Sequence, residues 1–165
     1  MAVGKTTVGR LLARELNLEF VDSDQEIEKK AGAEIAWIFD VEGEEKFRDR
    51  ESAVIDELTG RDGILLATGG GSVLRAENRR CIQSRGIVVY LDTSVETQIR
   101  RTAKDRKRPL LQTPDRREVL AALKDARDPL YRELADFRVY VGDSNSRKTV
   151  ASIIRHLKNN GLVQE

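Results

Sequence analysis

The sequence is poor in the residues that build disulfides, zinc sites and membrane spans. It has one cysteine, Cys81, and one histidine, His156, among its 165 residues. An intrachain disulfide and a zinc site made of cysteine and histidine are therefore both excluded. No apolar run approaches the roughly 18 residues that a membrane span needs, and the N-terminus lacks the charged-then-apolar pattern of a secretory signal. We expect a cytoplasmic protein that does not bind a membrane.

An excess of one charge is also missing at the level of the whole chain. The 29 lysine and arginine residues nearly cancel the 28 aspartate and glutamate residues, so charge gives no indication of a nucleic-acid partner. Basic side chains concentrate only between Arg100 and Arg108. This segment has none of the interleaved aromatic residues that nucleic-acid binding favours, and an arginine-rich lid that closes over a polyphosphate fits it better.

A phosphate-binding signature stands at the beginning of the chain. Gly4-Lys5-Thr6 matches the last three positions of GxxxxGK[ST], in which backbone N–H groups and a lysine bind phosphates and a hydroxyl holds Mg²⁺. Apolar residues from Val8 to Leu16 recur at helical spacing, so a helix begins at the lysine with its positive end towards the anion. The alternative is a glycine that merely caps a surface helix.

Short apolar runs alternate with helical periodicity along the rest of the chain. We expect strands at 18–21, 63–68, 86–91 and 137–141, with helices between them, because buried strands are continuous apolar runs. This alternation predicts βαβ units and hence a parallel sheet with helices on both faces. The expected fold class is therefore α/β, with three layers, in one domain.

Polar residues and glycines follow the first two of these strands. Asp22 and Asp24 come after the first strand, and Gly69-Gly70-Gly71 after the second. The carboxyl ends of parallel strands are where ligands bind in such sheets. Two carboxylates at this edge could hold the water shell of a metal ion and accept a proton from a substrate. Three glycines allow the backbone to come close to a ligand. The alternatives are an acidic turn that complements a helix dipole and a flexible loop.

Local patterns refine the helical regions. Ser23 followed by Glu26 forms a capping box, which predicts that a helix starts at that point. The next helical region is interrupted at Glu42-Gly43-Glu44. The charges at Asp49-Arg50-Glu51 are typical of a solvated helix face with salt bridges, and we expect all three side chains to be exposed.

Taken together, these stretches closely resemble the shikimate kinases. The resemblance implies a fold like that of the nucleoside monophosphate kinases, with a P-loop and a five-stranded parallel sheet. It also implies transfer of the ATP γ-phosphoryl group to the 3-hydroxyl of shikimate, a step towards chorismate and the aromatic amino acids. The matching motifs extend over almost the whole chain and are Gly4-Lys5-Thr6-Thr7 with Gly9-Arg10, Asp22-Ser23-Asp24, Glu42-Gly43-Glu44 with Phe47-Arg48, Thr68-Gly69-Gly70-Gly71, Arg101-Thr102, Arg108-Pro109-Leu110-Leu111 and Arg127-Asp128-Pro129-Leu130-Tyr131.

The resemblance further implies a site for ATP and Mg²⁺. Lys5 would contact the β- and γ-phosphates, Thr6 would ligate Mg²⁺, and Asp22 would hold that ion through water. Arg108, on a lid at about 102–114, would reach the transferring phosphate. Arg101 would stack on one face of the adenine, and the other residues implied for the nucleotide are Gly4, Thr7, Asn145 and Arg147.

For shikimate, the resemblance implies a pocket within a substrate-binding region at about 23–60 and the glycines at 69–71. Asp24 would bind the hydroxyl groups and act as the base, and Arg48 and Arg127 would clamp the carboxylate. Planar bidentate cations suit a carboxylate, and a loose phosphoryl-transfer transition state needs mainly positioning and positive charge. The backbone of Gly69, Gly70 and Gly71 would line the pocket, and its apolar side would consist of Ile35, Phe39 and Phe47.

The sequence departs from the family pattern at its start. A strand and a loop glycine that the family has before the position of Met1 are absent. A sheet without that central strand leaves two neighbouring strands with unpaired backbone groups, each costing about 1 to 3 kcal/mol if buried. We expect the true start to lie upstream. The alternative is that the chain is impaired by the absence of this strand.

Two other functions compete with shikimate phosphorylation. Gluconate kinase shares the fold and the phosphate loop, but the triple glycine and Phe47-Arg48 favour shikimate. A non-catalytic protein with a nucleotide-binding fold is the second alternative, and only the shortened loop suggests it. We expect a single kinase domain over residues 1–165 that acts as a monomer, because no apolar surface stripe is evident.

Overall fold

Helices and strands alternate in the computed structural model, which describes residues 3–103, 115–142 and 145–163. The helices are α1 Lys5–Glu15, α2 Ser23–Ala31, α3 Ile35–Thr59, α4 Ala76–Ser84, α5 Val95–Thr102, α6 Arg116–Leu134 and α7 Ser146–Asn159. The strands are β1 Glu19–Asp22, β2 Ile64–Ala67, β3 Val89–Asp92 and β4 Phe137–Tyr140. None of the helices described here combines the length and the apolar character that crossing a membrane requires.

The strands form two parallel pairs. β1 pairs with β2, with Asp22 opposite Ala67, and β3 pairs with β4, with Asp92 opposite Tyr140. All four strands overlap the apolar runs that predicted them, but β3 begins at Val89, three residues later than expected. Because parallel strands point the same way, Asp22 and the glycines that follow β2 emerge at one edge of the first pair.

Helices cover both faces of the strands, as the alternating pattern predicted. On one face, α1 and α7 pack against Leu65 of β2, Leu91 of β3 and Val139 of β4. This layer therefore joins the two pairs of strands. On the other face, α2 and α3 pack against the first pair, around Leu66 and Val21. Neighbouring residues of β2 point to opposite layers, as the twofold period of a strand requires.

An apolar slot of about 430 Å³ lies between β2 and β3. Within the described ranges, each of these strands pairs on one side only. The slot is lined mainly by aliphatic side chains, among them Val8, Leu12, Leu65, Leu66, Val89, Leu91 and Leu120. The slot therefore separates the two pairs of strands on the side where β2 and β3 face each other.

Helix α3 is bent at Gly43, within the predicted interruption. Gly43 has φ 82° and ψ 168°, whereas the residues on both sides are helical. This region of backbone conformation is open essentially to glycine alone. The bend separates the first turns of α3 from the segment that carries Phe47 and Arg48, so it sets the direction from which that segment enters the core.

We expect Gly43→Ala to lower the free energy of unfolding by about 1 to 3 kcal/mol, the typical cost of a strained backbone residue. Urea denaturation measures the change. Gly86→Ala is the matched control, because Gly86 does not have a positive φ and an added methyl group there meets no atom within 4 Å. Equal effects of the two substitutions would show that the conformation of Gly43 does not limit stability.

Candidate active site

The phosphate-loop residues stand at the start of α1, as predicted. Gly4 precedes the helix in a left-handed conformation with φ 93° and ψ 23°, which glycine adopts without steric cost. Lys5 is the first residue of the helix and lines the end of the slot together with Gly69 and Gly70. Thr6 is exposed in the same turn, where the first backbone N–H groups of a helix lack partners within the helix and favour an anion.

The residues predicted to hold adenine lie beside this loop. The Arg101 guanidinium donates to the backbone oxygen of Val3 at 3.1 Å and to that of Gly142 at 2.8 Å. Asn145, three residues after Gly142, caps α7 by accepting a hydrogen bond from the backbone N–H of Arg147 at 3.0 Å. Arg101 therefore links the start of the phosphate loop to the segment that leads into α7.

Thr7 and Arg108 were also predicted to bind the nucleotide, and only Thr7 lies within the described residues. Thr7, like Thr6, is exposed in the first turn of α1. Arg108 and nearly all of the predicted lid fall within 104–114, outside the described residues.

The acidic turn after β1 corrects one prediction from the sequence. Asp22 caps α2, because its Oδ1 accepts hydrogen bonds from the backbone N–H groups of Asp24 at 2.9 Å and Gln25 at 3.4 Å. The capping box with Ser23 as cap was wrong, since Ser23 is already the first residue of the helix. Its buried hydroxyl instead accepts a hydrogen bond from the backbone N–H of Gly69 at 3.0 Å.

The glycine loop, Gly69 to Gly71, lies directly against charged side chains. A methyl group added at Gly69 would come within 2.5 Å of Asp24 Oδ1 and 3.3 Å of Glu51 Oε1. None of the three glycines has a positive φ. Space, and not backbone conformation, therefore favours glycine at position 69, because an added methyl group would displace the Asp24 carboxylate.

The other two glycines of the loop contact the predicted arginine clamp. A methyl group at Gly71 would overlap the Arg48 guanidinium. One at Gly70 would lie 3.3 Å from both Arg127 Nη1 and the Tyr131 hydroxyl. The structure thus brings together three groups that the sequence predicted to act on one substrate, from α3, from α6 and from the loop after β2.

Arg48 is held by two carboxylates in a buried position. Its side chain donates from Nη1 to Glu51 at 2.7 Å and from Nη2 to Glu44 at 3.1 Å. In the part of the chain that the structure describes, its buried Nε has no hydrogen-bond partner. A buried donor without a partner costs about 1 to 3 kcal/mol, so an acceptor that reached Nε would stabilise this side chain.

Glu51 is a site residue that the sequence analysis missed. It was expected on a solvated face, but it is buried with 1% exposure, whereas its neighbours Asp49 and Arg50 are exposed as predicted. Burial raises the pKa of its carboxyl group, although the adjacent Arg48 guanidinium opposes this rise. The spacing contained the signal, because Glu51 falls on the apolar stripe formed by Phe47, Val54, Ile55 and Leu58.

The residues predicted to form the apolar side of a pocket belong to the core around α3. The rings of Phe39 and Phe47 have centroids 4.6 Å apart. Phe47 is buried, and Ile35 and Phe39 pack partly buried against the same cluster. This packing fixes the α3 segment that carries Arg48.

The predicted magnesium residues are compatible with an ion that arrives with a nucleotide. In the described ranges, no three His, Cys, Asp or Glu side chains form a metal-binding cluster. Mg²⁺ usually keeps several waters and needs only one or two carboxylates besides phosphate oxygens. The exposed hydroxyl of Thr6 and the half-buried carboxylate of Asp22 supply oxygen donors of this kind.

We expect Ser23→Ala to lower the free energy of unfolding by about 1 to 3 kcal/mol, because it leaves the buried N–H of Gly69 without its acceptor. Chemical denaturation measures the loss. Ser152→Ala, at an exposed position of α7, is the control and should change stability by less than about 0.5 kcal/mol. A Ser23→Ala protein as stable as the control protein would mean that the loop finds another acceptor.

The chain is similar to a known protein family and to curated relatives. The family model described as shikimate kinase matches residues 1–158. Shikimate kinase 1 of Yersinia pestis (strain Pestoides F) is 54% identical over 161 residues, which cover 97% of this chain and 93% of that protein. Shikimate kinase 1 of Yersinia pseudotuberculosis serotype O:3 (strain YPIII) matches with the same identity and coverage.

Solved structures agree with the sequence comparisons. A shikimate kinase from Acinetobacter baumannii in complex with shikimate has a TM-score of 0.96 and 49% identity, covering 99% of this chain and 91% of that one. The shikimate kinase from Aquifex aeolicus has a TM-score of 0.84 and 34% identity, with coverage of 98% and 94%.

Proposed function

Because the chain belongs to the shikimate kinase family and transfers the γ-phosphoryl group of ATP to the 3-hydroxyl of shikimate, we propose that the glycine loop and the charged groups around it are its shikimate site. The family resemblance found in the sequence is confirmed, and the gluconate kinase and non-catalytic alternatives are set aside. The observation that carries the site proposal is the convergence of Asp24, Arg48 and Arg127 on this loop.

In this proposal Arg48 and Arg127 bind the shikimate carboxylate. Both side chains are buried, with exposures of 7% and 8%, and both lie against the glycine loop. A guanidinium binds a carboxylate through parallel N–H bonds, which fixes orientation as well as charge. Glu51 holds Arg48 in place at 2.7 Å, so part of the ordering of this clamp precedes binding.

Asp24 is the proposed base at the other end of the substrate. Its Oδ1 lies close to Gly69, and its backbone N–H is fixed by Asp22. The shikimate 3-hydroxyl oxygen forms a bond to the γ-phosphorus while the bond from that phosphorus to the β,γ-bridging oxygen breaks. The hydroxyl proton passes to Asp24, and the products are shikimate 3-phosphate and ADP.

The nucleotide side of the proposal rests on the start of α1. Lys5 and the N–H groups after Gly4 bind the phosphates, with Arg108 reaching the transferring group. Thr6 and Asp22 hold Mg²⁺, which, when bound, offsets the negative charge of the phosphates. Arg101 stacks on adenine, and the remaining nucleotide contacts are Thr7, Asn145 and Arg147.

We also propose how this activity is organised in the chain and in the cell. Residues 1–165 form a single kinase domain, with the substrate-binding region at about 23–60 and the lid at about 102–114. The protein acts as a monomer in the cytoplasm and binds neither nucleic acid nor membrane. The single cysteine and the nearly balanced charges of the sequence support this proposal.

A coupled assay of ADP release tests the function. We expect turnover with shikimate, ATP and Mg²⁺, and none when gluconate replaces shikimate. The same assay is run on a second protein that is lengthened at its N-terminus by an apolar strand. If this strand enters the slot, it would pair with β2 and β3 and raise the melting temperature. If both proteins are folded and neither releases ADP with shikimate, the proposed site fails.

The arginine clamp is tested by Arg48→Ala. We expect it to weaken shikimate binding by about 2 to 5 kcal/mol, as for one partner of a buried charge pair, and to leave the KM for ATP within about twofold. Arg50→Ala is the control, because Arg50 lies two residues away on the same helix and forms its ion pair with Glu42 at the surface. Equal changes in the KM of both substrates would contradict the placement of Arg48.

A further inference from the structure

Helix α6 contacts the glycine loop through a second side chain, one turn after Arg127. Tyr131 follows Arg127 by four residues, so both side chains lie on the same face of the helix. The Tyr131 hydroxyl donates a hydrogen bond to the backbone oxygen of Gly70 at 2.5 Å. Gly70 is also the loop residue beside Arg127 Nη1. Tyr131 therefore ties the glycine loop to the helix that carries one arginine of the clamp.

Tyr90 of β3 contacts both Tyr131 and the residue next to Arg127. Its ring packs against the Tyr131 ring, with centroids 5.0 Å apart and planes inclined by 32°. Its hydroxyl lies 2.7 Å from Asp128 Oδ1 and 3.2 Å from Asp92 Oδ1. Asp128 directly follows Arg127, so the bond from Tyr90 to the Asp128 carboxylate restrains the residue next to the clamp arginine.

A charged contact fixes α6 against the same strand. The Lys124 ammonium donates to Asp92 at 2.5 Å and to the backbone oxygen of Thr93 at 2.7 Å. Together with the Tyr90 bond to Asp128, this contact holds two successive turns of α6 against β3. Rotation of the helix, which would turn Arg127 away from the glycine loop, breaks both contacts.

We propose that Tyr131, supported by Tyr90, is a positioning residue that holds Arg127 and the glycine loop in register for the shikimate carboxylate. The inference rests on the proposed function of Arg127. Packing alone does not explain a tyrosine at position 131, since phenylalanine would fill the same space without a hydroxyl to satisfy. Burial raises the pKa of Tyr131, so its hydroxyl stays protonated and remains a donor at neutral pH.

The first test is Tyr131→Phe, which removes only the hydroxyl. We expect the KM for shikimate to rise about five- to tenfold, the size expected for the loss of one hydrogen bond, while kcat and the KM for ATP stay within about twofold. Tyr140→Phe is the matched control, because Tyr140 is 60% exposed on β4. Tyr90→Phe provides a second variant and should raise the same KM, by a smaller factor.

A double-mutant cycle with Arg127→Lys separates positioning from general stability. If Tyr131 acts through Arg127, Tyr131→Phe should raise the KM for shikimate much less in the Arg127→Lys background than in the wild type. Multiplicative effects, or equal changes in kcat and both KM values, would overturn the inference. Failure of the proposed function is distinguishable, because Arg127→Lys alone would then leave the KM for shikimate unchanged.

Discussion

The glycine loop after β2 has no side chains of its own, so charged side chains from three helices can lie directly against its backbone. Asp24 from α2, Arg48 from α3 and Arg127 from α6 all lie against the glycine loop after β2, and a methyl group at two of its three positions would displace one of these side chains. The rest of the site is arranged around this close approach. Ser23 accepts a hydrogen bond from the backbone N–H of Gly69, and Tyr131 donates one to the backbone C=O of Gly70, so side chains from two neighbouring helices hold the path of the loop.

The buried charges of the site contribute more to the orientation of Arg48 than to the stability of the fold. Arg48 and Glu51 form a buried ion pair, and such a pair contributes little net stability, because desolvation of both charges opposes their attraction. Burial and the nearby Asp24 both raise the pKa of Glu51. In the proposed site, this pair supplies a guanidinium that is already oriented before the substrate carboxylate arrives, which reduces the ordering that binding requires.

Local patterns in the sequence predicted the elements, and the family motifs predicted where the charged side chains gather. The β2 strand is a short apolar run between glycines, and the bend of α3 falls at Gly43 as the interrupted periodicity indicated. The missed residues act through partners that are distant in sequence. Ser23 contacts Gly69, and Tyr131 contacts Gly70, so neither role has a local signature. Glu51 differs, because its position on the apolar stripe was visible, but its charged neighbours suggested exposure.

The slot between β2 and β3 has a consequence for the behaviour of the protein in concentrated solution. Each strand presents an unpaired edge towards the slot in the described structure, and exposed strand edges are templates on which strands of other molecules add. The aliphatic lining makes such an addition favourable for any apolar segment that enters. In the described part of the chain, the two unpaired edges and the aliphatic lining therefore make the slot a place where a strand of another molecule can add.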